Sequence, residues 1–224
     1  MPCALCYSPL VGPHARCCEH NGCTRSYCSE TCQSSDWHAH GHKRWCGKSA
    51  ERGAGYSIND AGVGRGDGVF ALHAFSAGDK VMVERSAIGA AFEAPCGSAA
   101  LLALPTGVKA AIACLSSAAS ESAIAPVGEE LIAAMLQRKF SNNAMGLGDA
   151  THSSGLFLTM AKANHACAAN CEHYYLAEDG LMLLVATKDI AAGDEITFSY
   201  VHDCANQAER AAQQKSLSFS LDDE

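Results

Sequence analysis

Short apolar runs separated by turn residues make up much of the chain from Val69 onward. Runs of this length, rich in β-branched and aromatic residues and bounded by Gly, Asp or Asn, are typical of strands. Twice an Ala-Gly-Asp turn leads directly into such a run, at 77–79 and at 192–194, and its Gly supplies the positive φ of a tight turn. The pattern predicts strands at 69–72, 80–84, 155–159, Leu181–Ala186 and 195–200.

Two stretches carry a helical rather than a strand-like pattern. Residues 98–119 and 128–140 predict helices, which together form a helical insert over 98–140. The second helix is expected to bury one apolar face, which consists of Leu131, Ile132, Met135, Leu136 and Phe140. Strands on both sides of a helical insert indicate a β-rich, mixed α+β domain.

The first 48 residues are rich in cysteine and histidine and show little hydrophobic periodicity. Eight of the 13 cysteines and five of the 10 histidines fall within residues 1–50. The chain begins Met1-Pro2-Cys3 without the basic and apolar stretch of a secretory signal, and no run approaches transmembrane length. We therefore expect a reducing compartment, nucleus or cytoplasm, no membrane contact, and metal ligands that hold this segment together. Residues 49–64, rich in Gly and polar side chains, predict a linker.

The cysteines of this segment come in closely spaced pairs, and each pair pre-forms half of a tetrahedral zinc site. The pairs are Cys3 with Cys6, Cys17 or Cys18 with Cys23, Cys28 with Cys32, and His42 with Cys46. Four pairs supply eight ligands, which is enough for two zinc ions. Spacing leaves two positions open: Cys17 competes with Cys18, with His20 as an outside candidate, and His40 competes with His42.

The run from Tyr27 to Trp37, followed by a histidine and Cys46, closely resembles the MYND finger, and the resemblance covers nearly all of residues 3–46. It implies that the pairs interleave. One zinc would then be bound by Cys3, Cys6, Cys28 and Cys32, and the other by Cys18 (or Cys17), Cys23, His42 and Cys46. It also implies a protein-binding module that recognises proline-containing peptides.

Charge divides unevenly between the two parts of the chain. Residues 1–50 hold five Lys/Arg and three Asp/Glu, whereas the other 174 residues hold 11 and 21. A net acidic main domain argues against direct binding of duplex DNA, because phosphate binding needs a basic surface. The same charge suits a lysine-rich protein partner.

Four segments of the main domain follow one another in the order of SET-domain motifs. They are the Gly-rich turn and strand at 64–71, the Asn segment at 142–146, the Asn-His segment at 164–170 and the run at 193–200. With the finger, they resemble the MYND-plus-SET (SMYD-like) protein lysine methyltransferases over roughly residues 3–200. The resemblance implies a SET domain of small curved sheets over 65–202. It would transfer a methyl group from S-adenosylmethionine to a lysine of a histone or another protein. The alternative is a non-catalytic MYND/SET adaptor that binds partner proteins.

The resemblance assigns a task to residues in each segment. A glycine-bracketed turn would let backbone approach the cofactor, with Arg65 facing its carboxylate. Asn164 and His165 would hold polar edges of the cofactor. Asn143 would also contact it, although helix capping is its other interpretation. The predicted cofactor-binding residues are Arg65, Gly66, Asp67, Gly68, Asn143, Asn164 and His165.

Tyr200, which ends the last segment, is the predicted catalytic residue. A free lysine has a pKa of ~10.4 and is mostly protonated at neutral pH. An apolar channel would favour the neutral amine, and a fixed phenol hydroxyl could orient it toward the sulfonium methyl.

Two features depart from the family pattern. Asp67 stands where relatives usually carry Arg or Asn. The tail over 203–224 lacks the C-x-C-x-x-C post-SET zinc motif, and Cys167, Cys171 and Cys204 have the wrong spacing to replace it. We therefore expect a channel closed without metal, a truncated sequence or an impaired enzyme.

Overall fold

A computed structural model describes residues 3–11, 15–16, 23, 25–48, 55–88, 98–115, 128–148, 154–177 and 179–200. The strands within these ranges are β1 (Ala15–Arg16), β2 (Ser26–Tyr27), β3 (Tyr56–Asp60), β4 (Asp67–Ala71), β5 (Lys80–Arg85), β6 (Met145–Gly146), β7 (Ser154–Gly155), β8 (Cys171–Leu176), β9 (Leu181–Ala186) and β10 (Glu195–Ile196). The helices are α1 (Glu30–Ala39), α2 (His42–Trp45), α3 (Ser98–Leu102), α4 (Thr106–Ala113), α5 (Glu129–Asn143) and a single 3-10 turn at Met160–Lys162.

Two small antiparallel sheets organise the main domain. In one, β4 lies between β10 and β3, and in the other, β9 lies between β5 and β8. Residues from both sheets share one buried cluster, represented by Val69, Met82, Leu184 and Ile196. The predicted α+β architecture of small sheets with helices is confirmed.

The near-continuous apolar sequence of β9 follows from the burial of both of its faces. Side chains alternate across a strand, so Met182 and Leu184 enter the shared core while Leu181 and Leu183 face the other way. That second face packs against Trp45 of α2. The central strand of the main domain therefore also supports the N-terminal segment.

The helical insert differs in detail from its predicted form. The helix predicted over 98–119 is divided into α3 and α4 just before Thr106, because Pro105 disfavours helical conformation in the preceding residue. Its last predicted residues, 116–119, lie outside the described ranges. Helix α5 extends to Asn143, beyond the predicted end at 140.

The predicted apolar face of α5 was wrong at one position. Leu131 is 58% exposed, whereas Ala133, Leu136 and Phe140 form the buried stripe. Lys139 is also buried there, and its ammonium group donates a hydrogen bond to the carbonyl of Leu115. The buried face of α5 is therefore rotated about the helix axis from the face that the apolar residues predict. Lys139 can lie on the buried face because a backbone carbonyl accepts a hydrogen bond from its ammonium.

Part of the predicted linker over 49–64 was also wrong. Residues 49–54 lie outside the described ranges, but Tyr56–Asp60 is strand β3, paired with β4 along its length. The strand is short and mostly polar, and only its beginning, at Tyr56, is buried. It is a strand because β4 pairs with all five of its residues, which its own sequence does not indicate.

Two predicted strands are shorter than expected. Of 155–159, only Gly155 pairs as a strand, and the next residues are buried in irregular backbone that joins the helical cluster to the sheet core. Of 195–200, only Glu195–Ile196 forms β10. Beyond it, Phe198 makes single parallel bridges to His165 and Cys171. This irregular pairing draws the 164–171 and 195–200 segments side by side.

The N-terminal segment packs directly against the main domain. Arg44 of α2 forms an ion pair with Asp179, and Arg85 of β5 donates to the Asp179 carbonyl at 2.6 Å. Gly107 of α4 lies so close to the 6–8 backbone that a Cβ there would be 2.5 Å from the nitrogen of Ser8. Among the described residues, no helix is both long and apolar enough to cross a membrane.

Candidate active site and metal clusters

Tyr200 lies beside the Asn-His segment, as the sequence predicts. Its backbone N–H donates to Nδ1 of His165 at 3.1 Å, and the two ring centroids are 5.5 Å apart. Its hydroxyl donates to the carbonyl of Ala163 at 2.8 Å. Phe198 packs on the other side, with ring centroids 5.1 Å apart. The phenol is thus held by one carbonyl and two aromatic neighbours.

Burial determines the ionisation of this phenol. It raises the pKa of Tyr200 to about 12; the Glu195 carboxylate adds to the increase, and the Arg65 guanidinium opposes it. The phenol is therefore neutral at physiological pH and can act as a hydrogen-bond donor.

Glu195 lies at the centre of a polar cluster that it forms with Asn164 and Arg65, and it was not among the predicted site residues. Its carboxylate accepts from Nδ2 of Asn164 at 2.7 Å and forms an ion pair with Arg65 at 2.8 Å. Glu195 begins β10, so the pairing of β10 with β4 brings it to the Gly-rich turn. The signal that could have found it is its place within the 193–200 motif, where it is an acidic residue in a strand that enters the core.

The Gly-rich turn reaches the same cluster. Gly66 lies in the turn between β3 and β4. Gly68 leaves little room for a side chain, because a Cβ would lie 2.9 Å from the Cβ of Ala61 and 2.8 Å from Oε1 of Glu195. The carbonyl of Asp67 accepts from Asn164 Nδ2 at 3.2 Å, and its carboxylate pairs with Lys162. Lys162 thus offers a local partner for the acidic residue that departs from the family pattern.

Asn143 stands apart from these contacts. It is the last residue of α5, and its Nδ2 donates to the carbonyl of Lys139 at 2.8 Å, one helical turn earlier. This bond supports a role at the helix end, which is the second interpretation given by the sequence. The structure thus brings together Arg65, Asp67, Gly68, Asn164, His165 and Tyr200, with Glu195 at their centre.

Four thiols of the N-terminal segment converge, and we call them the first cluster: Cys3, Cys6, Cys28 and Cys32. Their sulfur atoms all lie within 4.8 Å of one another, and the Cys6–Cys28 and Cys28–Cys32 distances are 3.5 and 3.6 Å. A tetrahedral zinc with Zn–S bonds of ~2.3 Å would place its sulfurs about 3.8 Å apart. The predicted interleaving of the first and third pairs matches this geometry, and the cluster can hold a metal ion.

The pKa values of two thiols in the first cluster are shifted in opposite directions. Burial acts to raise the pKa of Cys6, but hydrogen bonds with Ser8 lower it to about 7. Hydrogen bonds with Cys32 and Cys6 raise the pKa of Cys28 to about 12. A bound divalent cation would remove the difference between these thiols, because it binds all of them as thiolates.

The second cluster consists of Cys23, His42 and Cys46, whose ligand atoms also lie within 4.8 Å of one another. Nε2 of His42 is 3.6 Å from the Cys23 sulfur. The structure places His42, rather than His40, in this cluster. Burial and the nearby Arg85 lower the pKa of His40, whose carbonyl accepts from Arg85. Both Cys17 and Cys18 lie outside the described residues.

Comparison with known families identifies the main domain. The model of the SET domain family matches residues 66–201, more than half of the chain. The chain therefore belongs to the SET-domain family, and the resemblance of the main domain to SET domains is confirmed.

Individual relatives match a shorter stretch. The chain is 36% identical over 64 residues to the protein-lysine N-trimethyltransferase SMYD5 of Gallus gallus, and 38% identical over 64 residues to that of Danio rerio. These matches cover 29% of this chain and 15% of each relative.

Solved structures show a distant likeness. A humanized mutant of Chaetomium thermophilum Polycomb Repressive Complex 2 is 16% identical, with a TM-score of 0.37 over 67% of this chain and 15% of that one. A structure of ctPRC2 in an autoinhibited conformation bound to S-adenosylmethionine is 15% identical, with a TM-score of 0.38 over 72% of this chain and 17% of that one. The family assignment depends on the SET match and not on these overlaps.

Proposed function

We propose that this protein transfers a methyl group from S-adenosylmethionine to a lysine of a protein substrate, a histone or another protein. The observation that carries the proposal is the partly buried, neutral phenol of Tyr200 beside the Asn164-His165 pair. Membership of the SET-domain family and the similarity to protein-lysine N-trimethyltransferases support the same reaction.

The polar cluster fits the chemistry of the cofactor. The amino-acid part of S-adenosylmethionine carries both an ammonium and a carboxylate. The Glu195 carboxylate can accept hydrogen bonds from the ammonium. Arg65 and Asn164 carry N–H groups that can donate to the carboxylate of the cofactor. Arg65 has five N–H donors, so its pairing with Glu195 leaves it able to bind a second anionic group. When bound, the cofactor supplies an electrophilic methyl group on its sulfonium sulfur.

The chain's own residues would then prepare the amine. Phe198 and the His165 ring restrict water around the phenol, and low polarity favours the neutral form of an entering lysine. The Tyr200 hydroxyl, held by the Ala163 carbonyl, provides a fixed dipole at the reaction centre. A neutral lysine amine held beside this hydroxyl would be placed to accept the methyl group that the cofactor supplies, and the methylated amine would then lose its proton to solvent.

Calorimetric titration with S-adenosylmethionine, followed by methyl transfer to a histone mixture, tests this function. We expect saturable binding and transfer to lysine. Cofactor binding without transfer, unchanged in Tyr200→Phe, would favour the MYND/SET adaptor instead.

We expect Asn164→Ala to weaken S-adenosylmethionine binding by about 10-fold to 100-fold, because one hydrogen bond to a charged group is worth roughly 1.5–3 kcal/mol. Calorimetry measures the change. Asn59→Ala is the matched control, since its amide is exposed and donates to Ser57 within β3. Equal affinities for the Asn164 and Asn59 variants would remove Asn164 from the cofactor site.

The pH profile gives a further prediction. The pKa of Tyr200 is about 12, so we expect kcat/KM to rise between about pH 7 and about pH 10 as the substrate lysine, with a free pKa of ~10.4, loses its proton. Initial rates measure the profile, and recovery of activity on return to neutral pH controls for unfolding. A decline that begins near pH ~8 would show that the phenol ionises earlier than its burial implies.

We also propose that the N-terminal segment is a MYND finger with two zinc ions. The first cluster would bind one, and the second cluster, completed by Cys18 or Cys17, would bind the other. The paired spacing and the MYND resemblance support both sites, and the resemblance supports binding of proline-containing peptides. Nucleus or cytoplasm is the proposed location, because zinc-bound thiolates require a reducing compartment.

A further inference from the structure

Glu84 in β5 is a buried carboxylate that the proposed chemistry does not use. Only 5% of the residue is exposed. A carboxylate buried in this way is costly unless its oxygens accept hydrogen bonds. The N–H of Thr159 donates to both oxygens at 3.0 Å, and the N–H of Met160 donates to Oε2 at 2.9 Å. Glu84 therefore fixes the backbone where the 3-10 turn begins.

That turn leads directly to the groups around Tyr200. The turn at Met160–Lys162 is closed by the N–H of Ala163, which donates to the Met160 carbonyl at 2.9 Å. Ala163 then presents the carbonyl that accepts the Tyr200 hydroxyl, and Asn164 follows. A single rigid turn thus separates the Glu84 carboxylate from the acceptor of the phenol. A shift of the turn would move that acceptor.

The N-terminal segment reaches the same carboxylate. Tyr7 directly follows Cys6 of the first cluster and adopts a φ of 58°, a left-handed conformation that is uncommon for residues other than glycine. From there its hydroxyl donates to Oε1 of Glu84 at 3.4 Å. The close approach of Gly107 to the backbone of Tyr7 and Ser8 fixes this loop against α4. A metal in the first cluster would hold the loop from the other side.

We propose that Glu84 is a positioning residue for methyl transfer. It holds the 159–163 turn, and through the Ala163 carbonyl it sets the place of the Tyr200 hydroxyl relative to the cofactor-binding residues. Tyr7 connects the first cluster to this carboxylate, so the finger contributes to the geometry of the reaction centre. This inference rests on the proposed methyltransferase function.

Glu84→Gln tests the positioning role while keeping the size of the side chain. The variant places an NH2 group where one carboxylate oxygen accepts a backbone N–H. We expect kcat at saturating S-adenosylmethionine to decrease about tenfold, the equivalent of one charge-assisted hydrogen bond. Amide exchange measured by mass spectrometry should accelerate about tenfold over 157–163 and remain unchanged in β4 and β9. Glu130→Gln, at an exposed position in α5, is the matched control.

Three outcomes separate the parts of this inference. If the unaltered protein transferred no methyl group, the proposed function would fail. If it did, and Glu84→Gln accelerated exchange over 157–163 without lowering kcat, the positioning role alone would be overturned. Faster exchange throughout the domain would instead reveal a general loss of stability and would also overturn it.

The contribution of the finger is tested by a double-mutant cycle. Tyr7→Phe removes only the hydroxyl that reaches Glu84, and we expect kcat to decrease about twofold to threefold. In the double variant the effect of Tyr7→Phe should be smaller than in the unaltered protein, because a neutral amide at position 84 is a weaker partner for the Tyr7 hydroxyl than the carboxylate is. Fully additive effects would show that Tyr7 does not act through Glu84.

Discussion

Replacement of Tyr200 by Phe is expected to lower kcat by about 10²–10³-fold, the loss seen when one preorganised polar group is removed from a reaction centre. The ring remains, so its packing against Phe198 and His165 is preserved. Only the hydroxyl that donates to the Ala163 carbonyl is lost. Affinity for S-adenosylmethionine should stay within about threefold, because the polar cluster around Glu195 is retained.

Single-turnover methylation with radiolabelled cofactor measures this effect, and calorimetry measures the affinity. Tyr174→Phe is the control, because Tyr174 is 49% exposed and its hydroxyl donates to Glu172 instead. Equal rates for the Tyr200 and Tyr174 variants would exclude the phenol at position 200 from the chemistry.

Replacement of Cys28 by Ser is expected to remove one of two zinc ions and to unfold the finger around the first cluster. Structural zinc supplies ~10–16 kcal/mol of folding free energy in small fingers, more than a segment with so small a core can replace. Cys28 is exposed, so its loss changes little packing. Elemental analysis should show a decrease from two zinc ions per chain to one. Amide exchange over 25–48 should accelerate.

Cys114→Ser is the matched control for this variant, since Cys114 is also an exposed thiol but lies at the end of α4. Its metal content should equal that of the unaltered protein. Two zinc ions retained by Cys28→Ser would contradict the assignment of the first cluster. A content of only one zinc ion in the unaltered protein would contradict the assignment of the second cluster as a zinc site.

The local sequence pattern was sufficient to predict those features that depend only on residues close together in the chain. The two pairs of the first cluster follow from spacing, because two cysteines three or four residues apart already form half of a tetrahedral site, whereas their union in one cluster was implied by the MYND resemblance. The strand Leu181–Ala186 was predicted with its observed bounds, because burial on both faces demands a continuous apolar run.

Pattern failed where partners distant in sequence determine the outcome. Strand β3 is mostly polar and exposed, and it is a strand because β4 pairs with it. Helix α5 turns Leu131 outward and Lys139 inward because a carbonyl near the end of α4 accepts the ammonium. Sequence spacing also left His40 and His42 equivalent, and the backbone around the left-handed Gly41 places His42 beside Cys23.

The sequence by itself determined which chemical groups are present: the closely spaced cysteines and histidines of the N-terminal segment, the Asn-His segment and the terminal tyrosine of the last motif, in the order of a SET domain. Only the tertiary structure decided which of them meet and what fixes them. Asn164 and Glu195 are 31 residues apart, and Glu84 and Thr159 are 75 apart. Contacts across such separations arise from the pairing of strands and the packing of irregular backbone. No local pattern of hydrophobic and polar residues encodes them.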